Sequence, residues 1–177
     1  AQIGYMMIGV ALISVAGLSA GILHMFNHAI MKGCLFMALG CVYYRHGSAR
    51  IEDFKGLGKT MPLTMAAFVV GGLGLIGMPL TAGFISKWYL FLAAVESGQW
   101  TVVAVVVFSS LLALIYILKV IEAAYFQPSP DGVVERGEAP LTILAPLGLL
   151  AFACLYFGID PGLTVGVAKI AALGLLG

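Results

Sequence analysis

Long apolar runs broken by short polar or glycine-proline punctuation dominate this sequence. The first run predicts a helix over residues 2–18, with Ser19, Ala20 and Gly21 as a short break. A second helix is expected from Ile22 to Tyr44. A polar loop follows over residues 45–59, carrying Arg45, His46, Arg50, Glu52, Asp53, Lys55 and Lys59. Thr60-Met61-Pro62 restarts a helix, with Pro62 in the first turn, where its missing N–H costs nothing.

The third stretch, residues 62–96, is too long for one straight span and contains Gly71, Gly72, Gly74, Gly77, Pro79 and Gly83. Proline removes an intrahelical hydrogen bond and clashes with the preceding turn. The prediction is a broken helix: Pro62 to Gly77, a non-helical hinge at Met78-Pro79, then Thr81 to Glu96. Backbone groups freed in lipid must be satisfied by protein or water, so such a break usually lines a cavity or ion path. A fourth helix is predicted over residues 99–126. A polar loop with Pro128, Pro130 and Gly132 spans 127–139, and a fifth helix covers 140–158. Asp160-Pro161-Gly162 reads as a turn. Residues 159–177 form a short apolar tail, either a partial sixth span or an interfacial helix.

Composition agrees with this pattern. The chain is 62% apolar and 10% charged, with a mean hydropathy of +1.08; soluble domains are roughly 45–50% apolar and about 25% charged. The fold class expected is all-α, a polytopic transmembrane bundle in the cell (inner) membrane with the lipid bilayer as main solvent. A span needs about 20 apolar residues, so residues 1–158 hold five. Net charge is +1, which gives no reason to expect nucleic acid. Cys34, Cys41 and Cys154 lie inside apolar runs without CxxC spacing and read as small packing residues. Ala1 opens directly on an apolar run with no basic segment before it, which reads as a piece of a larger membrane protein rather than a signal peptide.

Basic residues set the expected orientation. Arg45, Arg50, Lys55 and Lys59 follow the second helix, and Arg136 follows the fourth, with Lys119 near that end. If residues 62–96 count as one crossing, both basic loops share a face, taken as cytoplasmic.

His24, His28 and Lys32 are the sharpest chemical feature, spaced i, i+4, i+8 on the second helix with Asn27 beside them. They climb one face in steps of about 6 Å, drifting about 40° each time, and waters bridge steps of that size. Histidine changes charge near neutral pH, and burial brings lysine towards it, as a proton relay requires. A single intramembrane histidine is often only an interhelical hydrogen bond, but three ionisable groups on one stripe are costly in lipid and favour function. Zinc binding by the histidine pair is the other option, but Lys32 adds a positive charge and no Cys, Asp or Glu completes the set. The expectation is therefore no metal and no other cofactor. Lys87 lies just past the Gly77–Pro79 break, too deep to snorkel easily. It is either a path residue or a lysine satisfied by hinge carbonyls, which itself implies a polar cavity. Lys119 and Glu122, at i, i+3, form either an interfacial pair or a path exit, with Tyr116 one turn earlier. Lys169 reads as a surface residue. No Gly-rich phosphate loop, nucleophile triad or haem ligand pair stands out, so nothing in the chain itself marks an enzyme.

Three ordered segments then resemble a known family: His24-Met-Phe-Asn-His28-Ala-Ile-Met-Lys32-Gly-Cys-Leu-Phe36, Asp53-Phe-Lys-Gly-Leu-Gly-Lys59-Thr-Met-Pro62, and Gly77-Met-Pro79-Leu-Thr-Ala-Gly-Phe84-Ile-Ser-Lys87. Gln2-Ile-Gly-Tyr-Met6 fits the preceding helix. The sequence resembles the antiporter-like proton-translocating subunits of Mrp-type multisubunit Na⁺/H⁺ antiporters, respiratory complex I and membrane-bound hydrogenases. The resemblance implies a second inverted repeat, the last five of the family's fourteen spans, with the first repeat and its own lysine and glutamate not included here. It implies that His24, His28 and Lys32 lie on a central hydrophilic axis and that Lys87 is the terminal group of a half-channel, a position some members fill with Glu. The reading favoured is a proton-translocating subunit of a Na⁺/H⁺ antiporter, partnered by other membrane subunits, protons and Na⁺. The alternatives are a proton-pumping membrane subunit of an NADH:quinone oxidoreductase or hydrogenase, and a non-conducting scaffold bundle.

Overall fold

A computed structural model describes residues 2–128 and 137–176. The loop positions Pro130, Gly132 and Arg136 lie outside the described residues. Among the described residues eight α-helices follow one another: α1 (Gln2–Ala11), α2 (Val15–His46), α3 (Leu57–Thr60), α4 (Pro62–Ile76), α5 (Ala82–Glu96), α6 (Trp100–Phe126), α7 (Leu141–Ile159) and α8 (Gly162–Leu176). A 3-10 turn, Ile51–Phe54, precedes α3. Helices α2, α6 and α7 are each long and apolar enough to cross a membrane, and α4 and α5 together form the predicted broken crossing.

The first break differs from the expected one. It lies at Leu12–Ser14, not at Ser19–Gly21. Ser14 is extended and its hydroxyl accepts the Gly17 N–H at 3.0 Å, an N-cap that starts α2 at Val15 rather than at Ile22. Gly21 has a different task. A Cβ on Gly9 would stand 2.7 Å from the Gly17 carbonyl and 2.8 Å from the Gly21 Cα. Gly9, Gly17 and Gly21 therefore let α1 and α2 touch backbone to backbone, as small residues do where membrane helices cross.

At 32 residues, α2 is the axis of the bundle. It is about 48 Å long, well beyond the roughly 30 Å hydrocarbon core. The apolar tail turns out to be a fifteen-residue helix, α8, that completes the cover of α2. Leu150 of α7 packs on Gly33, and the Phe157 ring lies 5.3 Å from that of Phe26. Val165 and Ala168 of α8 then reach the level of Val15 to Leu23. Thus α7 and α8 run antiparallel to α2 in sequence, interrupted at Asp160-Pro161. That interruption sits beside the α4–α5 hinge, because a Cβ on Gly158 would strike the Leu80 carbonyl.

The main core lies between α2, α4, α6 and α7 towards the end of α2 that carries the basic loop. It is built from Cys34, Ala38, Cys41, Met65, Phe68 and Leu147 among others. All three cysteines are free and buried there or beside the hinge. The basic loop and the end of α6 share one end of the bundle: the Gly56 N–H donates to Ala123 O at 3.2 Å, and Gly137 N–H donates to Thr60 O at 3.1 Å. Glu138 fastens the same end by capping α4. Its carboxylate accepts the Leu63 N–H at 2.6 Å and the Thr64 hydroxyl at 2.6 Å, placing negative charge at a helix N-terminus.

Two outcomes test these contacts. Gly83→Ala drives a methyl into the Gly74 carbonyl and should destabilise the protein by about 3 kcal/mol or more, seen as a lower detergent melting temperature. Gly40→Ala, where nothing lies within 4 Å, should be neutral or gain up to about 1 kcal/mol. In the basic loop, Ser48 and the Arg50 N–H each donate to Asp53 at 2.6 Å, which holds its carboxyl below the ordinary carboxylate range. A depressed carboxylate stabilises above its unfolded pKa, about 3.9, and loses that stabilisation as pH falls through the folded value. The protection factors of the Arg50 and Asp53 amides, taken against the intrinsic exchange rate at each pH, should hold at neutral pH and fall only below about pH 4, and Asp53→Asn should lower them throughout.

Candidate functional site

The site grows from the way α4 ends. Gly77 takes a left-handed φ of 89°, its N–H donates to Gly74 and Leu73, and the Met78 N–H donates to Leu73 O at 3.0 Å. This Schellman ending, open to glycine because it lacks a Cβ, leaves the carbonyls of Leu75 and Ile76 without intrahelical partners. The chain crosses to α5 through Leu80, which is held at a φ of 70°. For a residue with a side chain that conformation costs about 1–2 kcal/mol. The Thr81 hydroxyl closes the crossing by donating to Met78 O at 2.6 Å.

Lys87, only 5% exposed, folds back from the second turn of α5 onto those bare carbonyls. Its Nζ donates to Leu75 O and Ile76 O at 2.9 Å each and to the Ser110 hydroxyl at 3.0 Å. An ammonium has three donors, and all three are used. The negative end of the α4 dipole lies at the same point. A Cβ on Gly77 would come within 2.9 Å of Lys87 Cδ, so the glycine also makes room for the lysine stem. The Lys87 Nζ sits 5.1 Å from the Tyr5 ring centroid, a cation–π geometry.

Tyr5 joins this lysine to the ladder on α2. Its ring meets the His24 ring edge-on, with centroids 5.2 Å apart, and its hydroxyl bonds to Ser109. His24 is fully buried, with Nδ1 2.8 Å from Ser86 Oγ and Nε2 3.0 Å from Gln2 Oε1. Since Gln2 presents an acceptor, Nε2 carries hydrogen in the neutral ring, and Nδ1 accepts from the Ser86 hydroxyl. Ser86 has a second acceptor, the Gly83 carbonyl at 3.3 Å. If His24 gains a proton, its Nδ1–H donates to Ser86, whose own hydrogen swings to Gly83. The same three groups accommodate both charge states by rotating one hydroxyl. Lys87 is the next residue after Ser86, so the two switching elements ride on one turn of α5.

Further along the ladder, the His28 ring lies 6.1 Å from that of His24 and nearly parallel, and its Nε2 is buried with no partner among the described residues. Lys32 is half-buried, with Nζ 5.2 Å from the Phe36 ring centroid. Asn27 is fully buried and donates to the Ala82 carbonyl at 2.7 Å, tying the ladder helix to the first turn of α5, while its Oδ1 has no partner among the described residues. Buried polar atoms of this kind commonly bond to ordered water.

The structure thus brings His24, Lys87 and the Gly77–Pro79 break together, with His28 adjoining His24. Tyr116 lines a small cavity of about 210 Å³ with Lys32, Phe36, Leu39 and Val120, so it stands with Lys32 rather than with Lys87. Lys119 and Glu122 lie outside that cavity, exposed on α6. Among the described residues no group of three His, Cys, Asp or Glu converges as metal ligands do. The polar partners Ser86, Ser110 and Gln2 carry no signal of their own in the sequence, since hydroxyls and amides are common in membrane helices and become informative only through their neighbours.

Comparison with known proteins fits this arrangement. Residues 1–113 match the family described as "NADH:quinone oxidoreductase/Mrp antiporter, TM". NADH-quinone oxidoreductase subunit N of Desulforudis audaxviator is 42% identical over 171 residues, covering 90% of this chain and 34% of that protein. A probable K(+)/H(+) antiporter component of Rhizobium meliloti is 33% identical, over 83% of this chain and 15% of that protein. The Mrp complex from Dietzia sp. contains a chain that superposes with a TM-score of 0.89 at 31% identity, over 99% of this chain and 41% of that one. The chain therefore spans about a third of the length of the first of these relatives. Fold, motifs and likeness agree: this multi-pass membrane chain belongs to the NADH:quinone oxidoreductase/Mrp antiporter transmembrane family.

Proposed function

We propose that this chain carries one proton-transfer segment of an antiporter-like subunit in a multisubunit membrane complex. The observation that supports it is the buried His24–Ser86–Lys87 arrangement, in which one hydroxyl rotation admits a proton at His24 beside an ammonium held on a helix break. In this reading a proton passes along Lys32, His28 and His24 through bridging water. The charge change at His24 then acts on Lys87, about one ring away across Tyr5, in a medium of low effective dielectric. Lys87 moves between the carbonyls of Leu75 and Ile76 and an acceptor further along the path. Tyr116, which lines the cavity beside Lys32, is assigned to the exit on that side, and Lys119 and Glu122, exposed on the same helix, serve either that exit or an interfacial pair.

Two driving reactions fit this segment. One is exchange of Na⁺, or another monovalent cation, for protons in a Mrp-type complex, supported by the likeness to the Dietzia Mrp chain. The other is redox-driven pumping, supported by the 42% identity to an NADH-quinone oxidoreductase subunit N. A scaffold role would use Lys87 to satisfy the bare carbonyls but gives no reason for the buried His24–Ser86 pair beside it.

Proton movement in vesicles holding the intact complex checks both levels. Lys87→Ala should abolish transport while the complex still assembles; normal transport from an assembled Lys87→Ala complex would sink the assignment. Ser86→Ala should slow transport about 100-fold, the lower end of what a positioned proton-transfer group contributes, whereas Ser86→Thr, which keeps the hydroxyl, should retain most of it. ΔpH that appears on adding Na⁺ alone selects the antiporter; ΔpH that needs an electron donor and quinone selects the redox-driven complex.

A further inference from the structure

At the end of the bundle opposite the basic loop, α2, α5 and α8 enclose a half-open cleft of about 380 Å³ that the proton segment does not use. Its walls are apolar, with Leu23, Leu92, Ala93, Val165 and Ala168 facing inward. Val15 begins α2 and Glu96 ends α5, so its mouth lies where these helices reach the bilayer–water boundary. Leu23 and Tyr89 lie eight and seven residues further in, a depth of about 10–12 Å along the helices.

Two charges flank this slot. Lys169 is exposed on α8 among Val167, Ile170 and Leu173, which are also exposed, so its ammonium stands on an otherwise apolar helix face. Glu96 lines the opposite wall. Neither makes an ion pair among the described residues. An ammonium beside lipid is costly unless it reaches headgroups or finds an anion. Tyr89, 37% exposed, adds the ring-and-hydroxyl character of residues at membrane boundaries.

We propose that this cleft is a binding site for a phospholipid with a zwitterionic headgroup of the phosphoethanolamine type. One acyl chain lies in the slot between α2, α5 and α8. The phosphate meets Lys169 and the headgroup ammonium meets Glu96, so both charges are matched by one ligand. Two opposite charges at one apolar mouth suit a dipolar headgroup with an apolar chain better than an apolar partner helix, which would match neither charge. The lipid braces α8 against the end of α5, two turns beyond Lys87.

The test is lipid retention by the intact complex, read by native mass spectrometry after exchange into mixed phosphatidylethanolamine and phosphatidylglycerol. It does not depend on the transport reading, since occupancy is measured without turnover. Wild type should keep one phosphatidylethanolamine more than Ala16→Trp, which fills the slot from α2. Lys169→Gln should weaken retention about tenfold, the loss of one charge-assisted bond, and Lys169→Arg should restore it. Glu96→Gln should erase the preference for phosphatidylethanolamine over phosphatidylglycerol. Equal retention in wild type, Ala16→Trp and Lys169→Gln overturns the proposal, as does unchanged selectivity in Glu96→Gln. A photo-cross-linking residue at Leu92, in an otherwise wild-type complex, should label lipid; capture of a neighbouring protein there overturns it as well.

Discussion

Two carbonyls left bare at the end of α4 organise the centre of this chain. Gly77 stops the helix in a form that uses its own N–H groups on earlier carbonyls, so Leu75 and Ile76 must find donors elsewhere. In lipid no water supplies them, and an unsatisfied backbone group costs several kcal/mol. The Lys87 ammonium is the donor. Its charge is in turn tolerable only because those carbonyls, Ser110 and the α4 dipole surround it. Helix break and buried charge are therefore one interaction, and each lowers the cost of the other in the membrane.

The packing around the break follows from that pairing. For Lys87 to reach α4, the first turn of α5 must ride directly on the last turn of α4. Gly74 and Gly83 permit this approach, and Gly158 brings α7 onto the Leu80 carbonyl. Asn27 fixes the ladder helix to the same turn through Ala82 O. Thus the residues that set the position of Lys87 also set the distance from His24 to Ser86. A strained Leu80 persists because the surrounding contacts determine it several times over.

Much of the site is legible in the residue pattern. His24, His28 and Lys32 are placed by helical period alone, and Pro79 after a glycine announces the break. The α4–α5 boundaries match the expectation within a residue. The first break is misplaced by the pattern because Ser19-Ala20-Gly21 looks like punctuation, whereas these small residues serve a helix crossing. Ser14, a short polar residue at the head of an apolar run, carries the correct signal. The tail stays open between span and surface, because fifteen apolar residues suit either, and only the length of α2 needing cover decides it. Lys169 is exposed, as expected of a surface residue, yet it flanks a cleft whose other walls come from helices far away in sequence.

By itself the sequence determined that the chain lives in lipid, that it is helical, where its charges sit along each helix, and that one helix breaks beside a lysine. These are local consequences of composition and period, which the membrane enforces residue by residue. Only the tertiary structure decided which group satisfies which. That Lys87 turns back to α4, that Ser86 stands between His24 and Gly83, and that Tyr5 joins histidine to lysine all depend on contacts between helices. Such contacts are set by glycine-sized gaps and side-chain reach across the bundle, to which a one-dimensional pattern is blind.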